Sequence, residues 1–140
     1  MTKPVALLAV MMLTFFASLT VLGYRTTYLI GYGAFTLMAA TISLTFVWLW
    51  VRRATPLAMG MAFSWAGAAS VMGWWWLYNA FHAPVWMQDS QFLFPFLSVY
   101  FLGAVLHFEV IAKSFGARKW SYLVPIVLCV FTSVLIFQLS

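Results

Sequence analysis

Few side chains in this sequence could take part in chemistry, and they lie far apart along the chain. They are two acids, two histidines and one cysteine: Asp89, Glu109, His82, His107 and Cys129. A catalytic site needs several such groups within hydrogen-bonding reach of one another. One cysteine forms no internal disulfide and no cysteine-based metal site. This scarcity makes an enzyme the least favoured function class. We therefore predict no catalytic residue, metal ligand or cofactor from the sequence.

The two carboxylates cannot form a paired site within one chain. About 20 residues separate Asp89 from Glu109, or about 30 Å along a helix at 1.5 Å per residue. Glu109 precedes Lys113 by four residues, which is the favoured spacing for a helical ion pair. Asp89 shares its side of the membrane with Arg25. Because an ionisable group within a membrane span is a functional candidate, the alternative for Glu109 is an ion or proton path.

The two histidines are predicted to lie near opposite sides of the membrane: His82 at the outer end of the third span and His107 near the inner end of the fourth. A haem held by both His82 and His107 within one chain is therefore not expected. His107 follows Gly103 by four residues, which places an imidazole beside a notch on one helix face. We expect a hydrogen bond from His107 to a neighbouring hydroxyl or carbonyl, and a role inside the membrane is the alternative.

An aromatic cluster lies at the end of the third predicted span. The consecutive residues Trp74, Trp75 and Trp76 point in three directions around a helix, which is consistent with an aromatic belt at the membrane interface. Residues three and four apart share a helix face. The resulting candidate groove comprises Trp75, Tyr78, Asn79 and His82, with Trp86 in the loop that follows. It would take an apolar ligand such as a lipid tail, quinone, isoprenoid or pigment, or a partner helix.

The elements that position these residues are predicted to be membrane helices. Hydrophobic residues make up 66% of the chain and charged residues 6%, whereas soluble domains carry about 25% charged residues. The apolar runs reach the length of about 20 residues that crosses a bilayer, and a helix satisfies its own backbone groups in lipid. We predict an all-α integral membrane protein, with five transmembrane helices in a single domain, residues 1–140. The predicted spans are 5–24, 27–51, 56–81, 92–114 and 120–139.

The basic residues predict the orientation of this bundle. With the N-terminus in the cytoplasm, the cytoplasmic side carries Lys3, Arg52, Arg53, Lys113, Arg118 and Lys119. Arg25 lies on the opposite side, and such an asymmetry is typical of the positive-inside rule. The C-terminus, Ser140, is then outside. We expect no nucleic-acid partner, because the basic residues behind the net charge of +5 flank apolar spans. We also expect a bacterial inner (plasma) membrane and a first span that is retained.

Small residues in the third span predict close helix packing. Gly60, Ser64, Gly67 and Ala68 recur at intervals of three and four residues, which lets neighbouring helices approach closely. Together with the short loops and scarce chemistry, this predicts a non-catalytic membrane subunit that packs against lipid and other subunits of a larger complex. The alternatives are a binder of an apolar small molecule, and a small homo-oligomeric transporter or channel with Glu109 or His107 in its path.

Overall fold

The computed structural model describes residues 2–116, 118 and 120–139, and these residues contain helices and turns but no strand. Lys119 and Ser140, which enter the predicted orientation, lie outside the described residues. The helices are α1 (Thr2–Arg53), α2 (Pro56–Ala80), α3 (Val85–Gln88), α4 (Leu93–Ser114) and α5 (Leu123–Leu139). The fold is thus all-helical, as the sequence predicts.

Helix α1 is bent back on itself at Gly23. This residue has φ 77° and ψ 166° inside an otherwise helical segment, a conformation that glycine adopts readily because it lacks a Cβ atom. The Ser18 and Thr27 hydroxyls lie 2.9 Å apart, and the Phe15 ring packs over Gly31. In a straight helix Phe15 and Gly31 would be about 24 Å apart. Residues 2–22 (the N-terminal arm) and 24–53 (the C-terminal arm) therefore lie side by side.

Helix α2 is the central element, since α1 and α4 both pack against it. On the α1 side, the Ser43 hydroxyl donates a hydrogen bond to the Ala62 carbonyl at 2.8 Å. On the α4 side, Gly67 faces the Tyr100 backbone. The C-terminal arm of α1 and helix α4 both run antiparallel to α2. The buried positions are mainly small residues, among them Ala39, Ala58, Ala62 and Gly67.

The two ends of the bundle differ in their loops. At one end, which we call the Gly23 end, α2 stops at Ala80 and the chain turns through positive φ at His82 and Ala83. The short helix α3 follows. A hydrogen bond from the Trp74 indole of α2 to the Met87 carbonyl of α3 holds the two helices together. At the opposite end, the Arg53 end, Pro56 occupies the first turn of α2.

Within the described residues, two stretches are long and apolar enough to cross a membrane, judged by length and composition: Lys3–Arg53 and Val85–Ser114. Leu123–Leu139 is a shorter apolar helix. It makes sparse contacts, which lie on α4, and no residue within Leu123–Leu139 is buried. The bundle therefore consists of a packed core (the C-terminal arm of α1, α2 and α4), an exposed N-terminal arm that lies against the C-terminal arm, and the sparsely attached helix α5.

Candidate functional site: an apolar groove beside the helix core

Three of the five residues of the predicted aromatic groove lie together on α2. The Trp75 and Tyr78 rings meet edge to face, with centroids 5.5 Å apart. The Asn79 amide donates to the Trp75 carbonyl at 2.8 Å and to the Tyr28 hydroxyl at 3.3 Å. Asn79 thus ties α2 to the C-terminal arm of α1, because its amide bridges both helices.

The other two residues, His82 and Trp86, do not extend this surface. The helix ends at Ala80, and the positive φ of His82 turns the chain away from the helical path. Trp86 packs edge to face on Trp74, with centroids 6.1 Å apart. Trp74 itself lies 6.0 Å from Phe96 of α4, so these rings lie beside α4 whereas Asn79 contacts α1. His82 and Trp86 are both exposed.

His107 lies at the contact between α2 and α4. Its Nδ1 is 3.1 Å from the Ser64 hydroxyl, and its Nε2 is 2.6 Å from the Met61 sulfur. The sequence predicts a neighbouring hydroxyl or carbonyl as the partner of this histidine, and the structure places the Ser64 hydroxyl there. Both ring nitrogens contact α2, so His107 links the two helices through hydrogen bonding and packing. No group of three or more potential metal-ligating His, Cys, Asp or Glu side chains occurs among the described residues.

Glu109 pairs with Lys113 at the spacing that predicts an ion pair. The Lys113 ammonium donates to a Glu109 carboxylate oxygen at 2.6 Å. The Lys113 side chain is 75% exposed and that of Glu109 is 37% exposed. Such an exposed pair contributes little to stability. Asp89, the other acid, is exposed after α3, far along the chain from Glu109.

The small residues of α2 form its interface with α4. A Cβ atom placed on Gly60 would touch Leu106 at 3.3 Å, and one placed on Gly67 would collide with the Tyr100 backbone. Ser64 packs in the same way on Gly103 of α4. Ala68 is half-buried in the same helix. These contacts bring the two backbones together, as small residues do between membrane helices.

A further apolar recess lies between the two arms of α1. We call it the α1 groove; its volume is about 830 Å³, within the range of about 300–1,000 Å³ for small-molecule sites. Its lining is Leu8, Met11, Met12, Phe15, Phe16, Leu19, Tyr24, Thr27, Tyr28, Gly31, Tyr32, Phe35 and Met72. Twelve of these thirteen lining residues belong to α1 and one to α2, so the groove lies on the outside of the packed core.

One wall of the α1 groove carries a row of tyrosines. Tyr28 stacks on Tyr32 with centroids 4.2 Å apart, and Tyr24 lies 6.2 Å from Tyr28. The three are spaced four residues apart, which places them on one helix face. The shared helix face of these tyrosines could therefore have been predicted from the sequence. The opposing wall of methionine and phenylalanine could be assigned only once the pairing of the arms across Gly23 was known.

Comparisons with protein-family models, with curated proteins and with solved structures find no match for this chain. Its functional assignment therefore depends on the residues and on their arrangement.

Proposed function

We propose that this chain is a non-catalytic integral membrane subunit of a larger membrane protein complex. In this proposal it spans the bilayer five times, with the two arms of α1 as the first two spans and α2, α4 and α5 as the others. The N-terminus is cytoplasmic, the C-terminus is outside, and the bacterial inner membrane is the proposed location. Other membrane subunits cover the faces that the chain itself leaves unpacked.

The observation that carries this proposal is the exposure of α5, in which every residue from Val127 to Leu139 is exposed. No residue within Leu123–Leu139 is buried, and its contacts with α4 are sparse. Lipid tails are as apolar as leucine, so the hydrophobic effect does not drive membrane helices together, and close packing holds them instead. A helix with so few contacts gains little stability from its own bundle. A neighbouring subunit would supply the missing contacts, and Cys129 and Ser133 provide small side chains at a four-residue spacing for its approach.

The use of polar groups supports the same proposal. Ser43, Ser64, Asn79 and His107 each bond across a helix interface of the core. These side chains hold helices together, as polar groups commonly do in membrane bundles. Such use suits a packing subunit better than a transporter, which needs polar groups along a hydrated path.

Native mass spectrometry on protein gently extracted from its own membrane tests the proposal. We expect a heteromeric mass with fixed stoichiometry. A photo-crosslinking amino acid at Leu128, in the middle of α5, should capture one defined neighbouring subunit. The matched control is the same amino acid at Gln88, which is exposed at the end of α3 and should not capture that subunit.

A mass that corresponds to the lone chain or to a homo-oligomer, with no crosslinked partner at Leu128, would contradict the subunit proposal. Equal capture from Leu128 and Gln88 would also count against α5 as the interface, because the two positions lie on different elements of the fold.

A further inference from the structure

The α1 groove has the chemistry of a site for one chain of an amphiphile. Its thirteen lining residues include one threonine and three tyrosines, and the other nine have no polar side chain. The Thr27 hydroxyl is bonded to Ser18, and the Tyr28 hydroxyl accepts a hydrogen bond from Asn79. Two of the four polar side chains along the walls are thus hydrogen-bonded within the protein. What the groove offers a ligand is apolar and aromatic surface.

Charge is found at one end of this groove. Arg25 follows the lining residue Tyr24 directly, at the Gly23 end where the two arms meet. Arg25 is exposed and has no ion-pair partner within the described part of the chain. At the other end, Lys3 precedes the first lining residue, Leu8, by five residues, which is more than one helical turn. Positive charge is therefore nearest to the groove at its Gly23 end.

We propose that the α1 groove binds an anionic phospholipid from the leaflet on the Gly23 side. One acyl chain lies between the Met11, Met12 and Phe15 side of the N-terminal arm and the tyrosine row of the C-terminal arm. The phosphate lies at the Gly23 end and accepts hydrogen bonds from the Arg25 guanidinium, a favourable charge-assisted geometry. This inference rests on the proposed membrane-integral arrangement, but it does not require a partner subunit.

The test uses the full chain reconstituted in nanodiscs that contain equal amounts of phosphatidylglycerol and phosphatidylcholine. Native mass spectrometry then counts the phospholipids that the released protein retains. We expect one retained phosphatidylglycerol. Met12→Trp should remove it because the larger ring fills the groove, whereas the control Leu13→Trp should not, because Leu13 is equally exposed but does not line the groove.

The headgroup contact is tested separately. Arg25→Gln should lower retention of phosphatidylglycerol about tenfold, as expected for loss of a charge-assisted hydrogen bond. Arg53→Gln, at the opposite end of the bundle, should leave retention unchanged. Because Arg25 is exposed, this variant keeps the proposal testable if Met12→Trp alters folding.

Several results would overturn this proposal. Equal retention of the two lipids, or retention that neither Met12→Trp nor Arg25→Gln lowers, would show that no selective lipid site exists in the groove. Loss of a bound polypeptide rather than a lipid in Met12→Trp would make the groove a protein interface. A lone chain in the extract from its own membrane, together with a retained lipid in nanodiscs, would contradict the subunit proposal but not the lipid site.

Discussion

At the scale of single residues, glycine and serine determine how closely the core helices approach. The α2 and α4 backbones meet where Gly67 faces Tyr100 and where Gly103 faces Ser64. A side chain larger than hydrogen at either glycine must push the helices apart. The same close approach brings His107 within 3.1 Å of the Ser64 hydroxyl. Small residues therefore set both the packing and the polar link between the two helices.

Gly67→Leu should destabilise the core by about 1–3 kcal/mol or more, the usual range for overpacking. The new side chain would collide with the Tyr100 backbone. The measurement is the fraction of folded protein during titration with sodium dodecyl sulfate. Ala34→Leu is the control, because Ala34 is exposed on α1 and should tolerate a leucine side chain. Equal stability of the two variants would contradict the packing described for α2 and α4.

Glu109→Gln should have little effect on folding. The variant loses an exposed ion pair with Lys113, and pairs at this helical spacing contribute about 0.3–0.5 kcal/mol. We also expect co-purification with other subunits to be unchanged, and any ion flux of the protein in liposomes to be the same before and after substitution. Abolished flux in a folded Glu109→Gln variant would instead favour the transporter alternative.

At the scale of elements, the bend at Gly23 decides the shape of the first third of the chain. The apolar runs predict two spans joined at residues 24–26, and the structure places the reversal at Gly23 with helix on both sides. Because the turn occupies one residue, the arms are in contact from Ser18 and Thr27 onward. The α1 groove runs along this pair of arms, from Tyr24 at the bend to Leu8 and Phe35 farther from it.

Cysteines at positions 18 and 27 should form a disulfide on mild oxidation in a Cys129→Ser background. The native hydroxyls at these positions are 2.9 Å apart, so the side chains are adjacent. Addition of Gly23→Ala should reduce crosslinking, since a non-glycine residue in this backbone conformation costs about 1–3 kcal/mol. Electrophoresis without reductant measures the shift.

The control pair is Ser18→Cys with Thr26→Cys, which moves one thiol around the helix by about 100°, the angle between successive residues at 3.6 residues per turn. Efficient crosslinking of this control, or none with positions 18 and 27, would contradict the side-by-side arrangement of the two arms.

How much could be predicted from the sequence differs between these elements. The helical class follows from long apolar runs, and the small residues Gly60, Ser64 and Gly67 indicate a close interface in advance. A single groove that includes His82 and Trp86 would require the helix to continue beyond Ala80, but α2 ends at that residue. The α1 groove depends on which residues of the two arms face each other. Neither feature can be derived from spacing along a single helix.

At the scale of the whole molecule, the charges lie at the ends of the helices. Arg52 and Arg53 lie in the last turn of α1, Lys113 lies in the last turn of α4, and Arg118 is in the turn before α5. Arg25 is at the Gly23 end. The bundle is thus more basic at one end than at the other, which is the asymmetry that orients membrane proteins.

An alkaline phosphatase fusion tests the proposed orientation, because this reporter needs the disulfide-forming environment outside the cytoplasm. Fusion at the C-terminus should be active, and fusion after Arg53 should be inactive. The reverse pattern would invert the proposed topology. Activity at both positions would contradict an odd number of spans after Arg53.

The sparse docking of α5 has a consequence for the order of assembly. The four side-chain bonds that join α1 to α2 and α2 to α4 involve residues that precede position 108. During synthesis, these parts leave the ribosome before α5 does. The core can therefore complete its internal bonding while the last helix is still being made. A chain truncated after Gly116 should keep its core but lose its place beside a neighbouring subunit, which would make folding and recruitment separable steps.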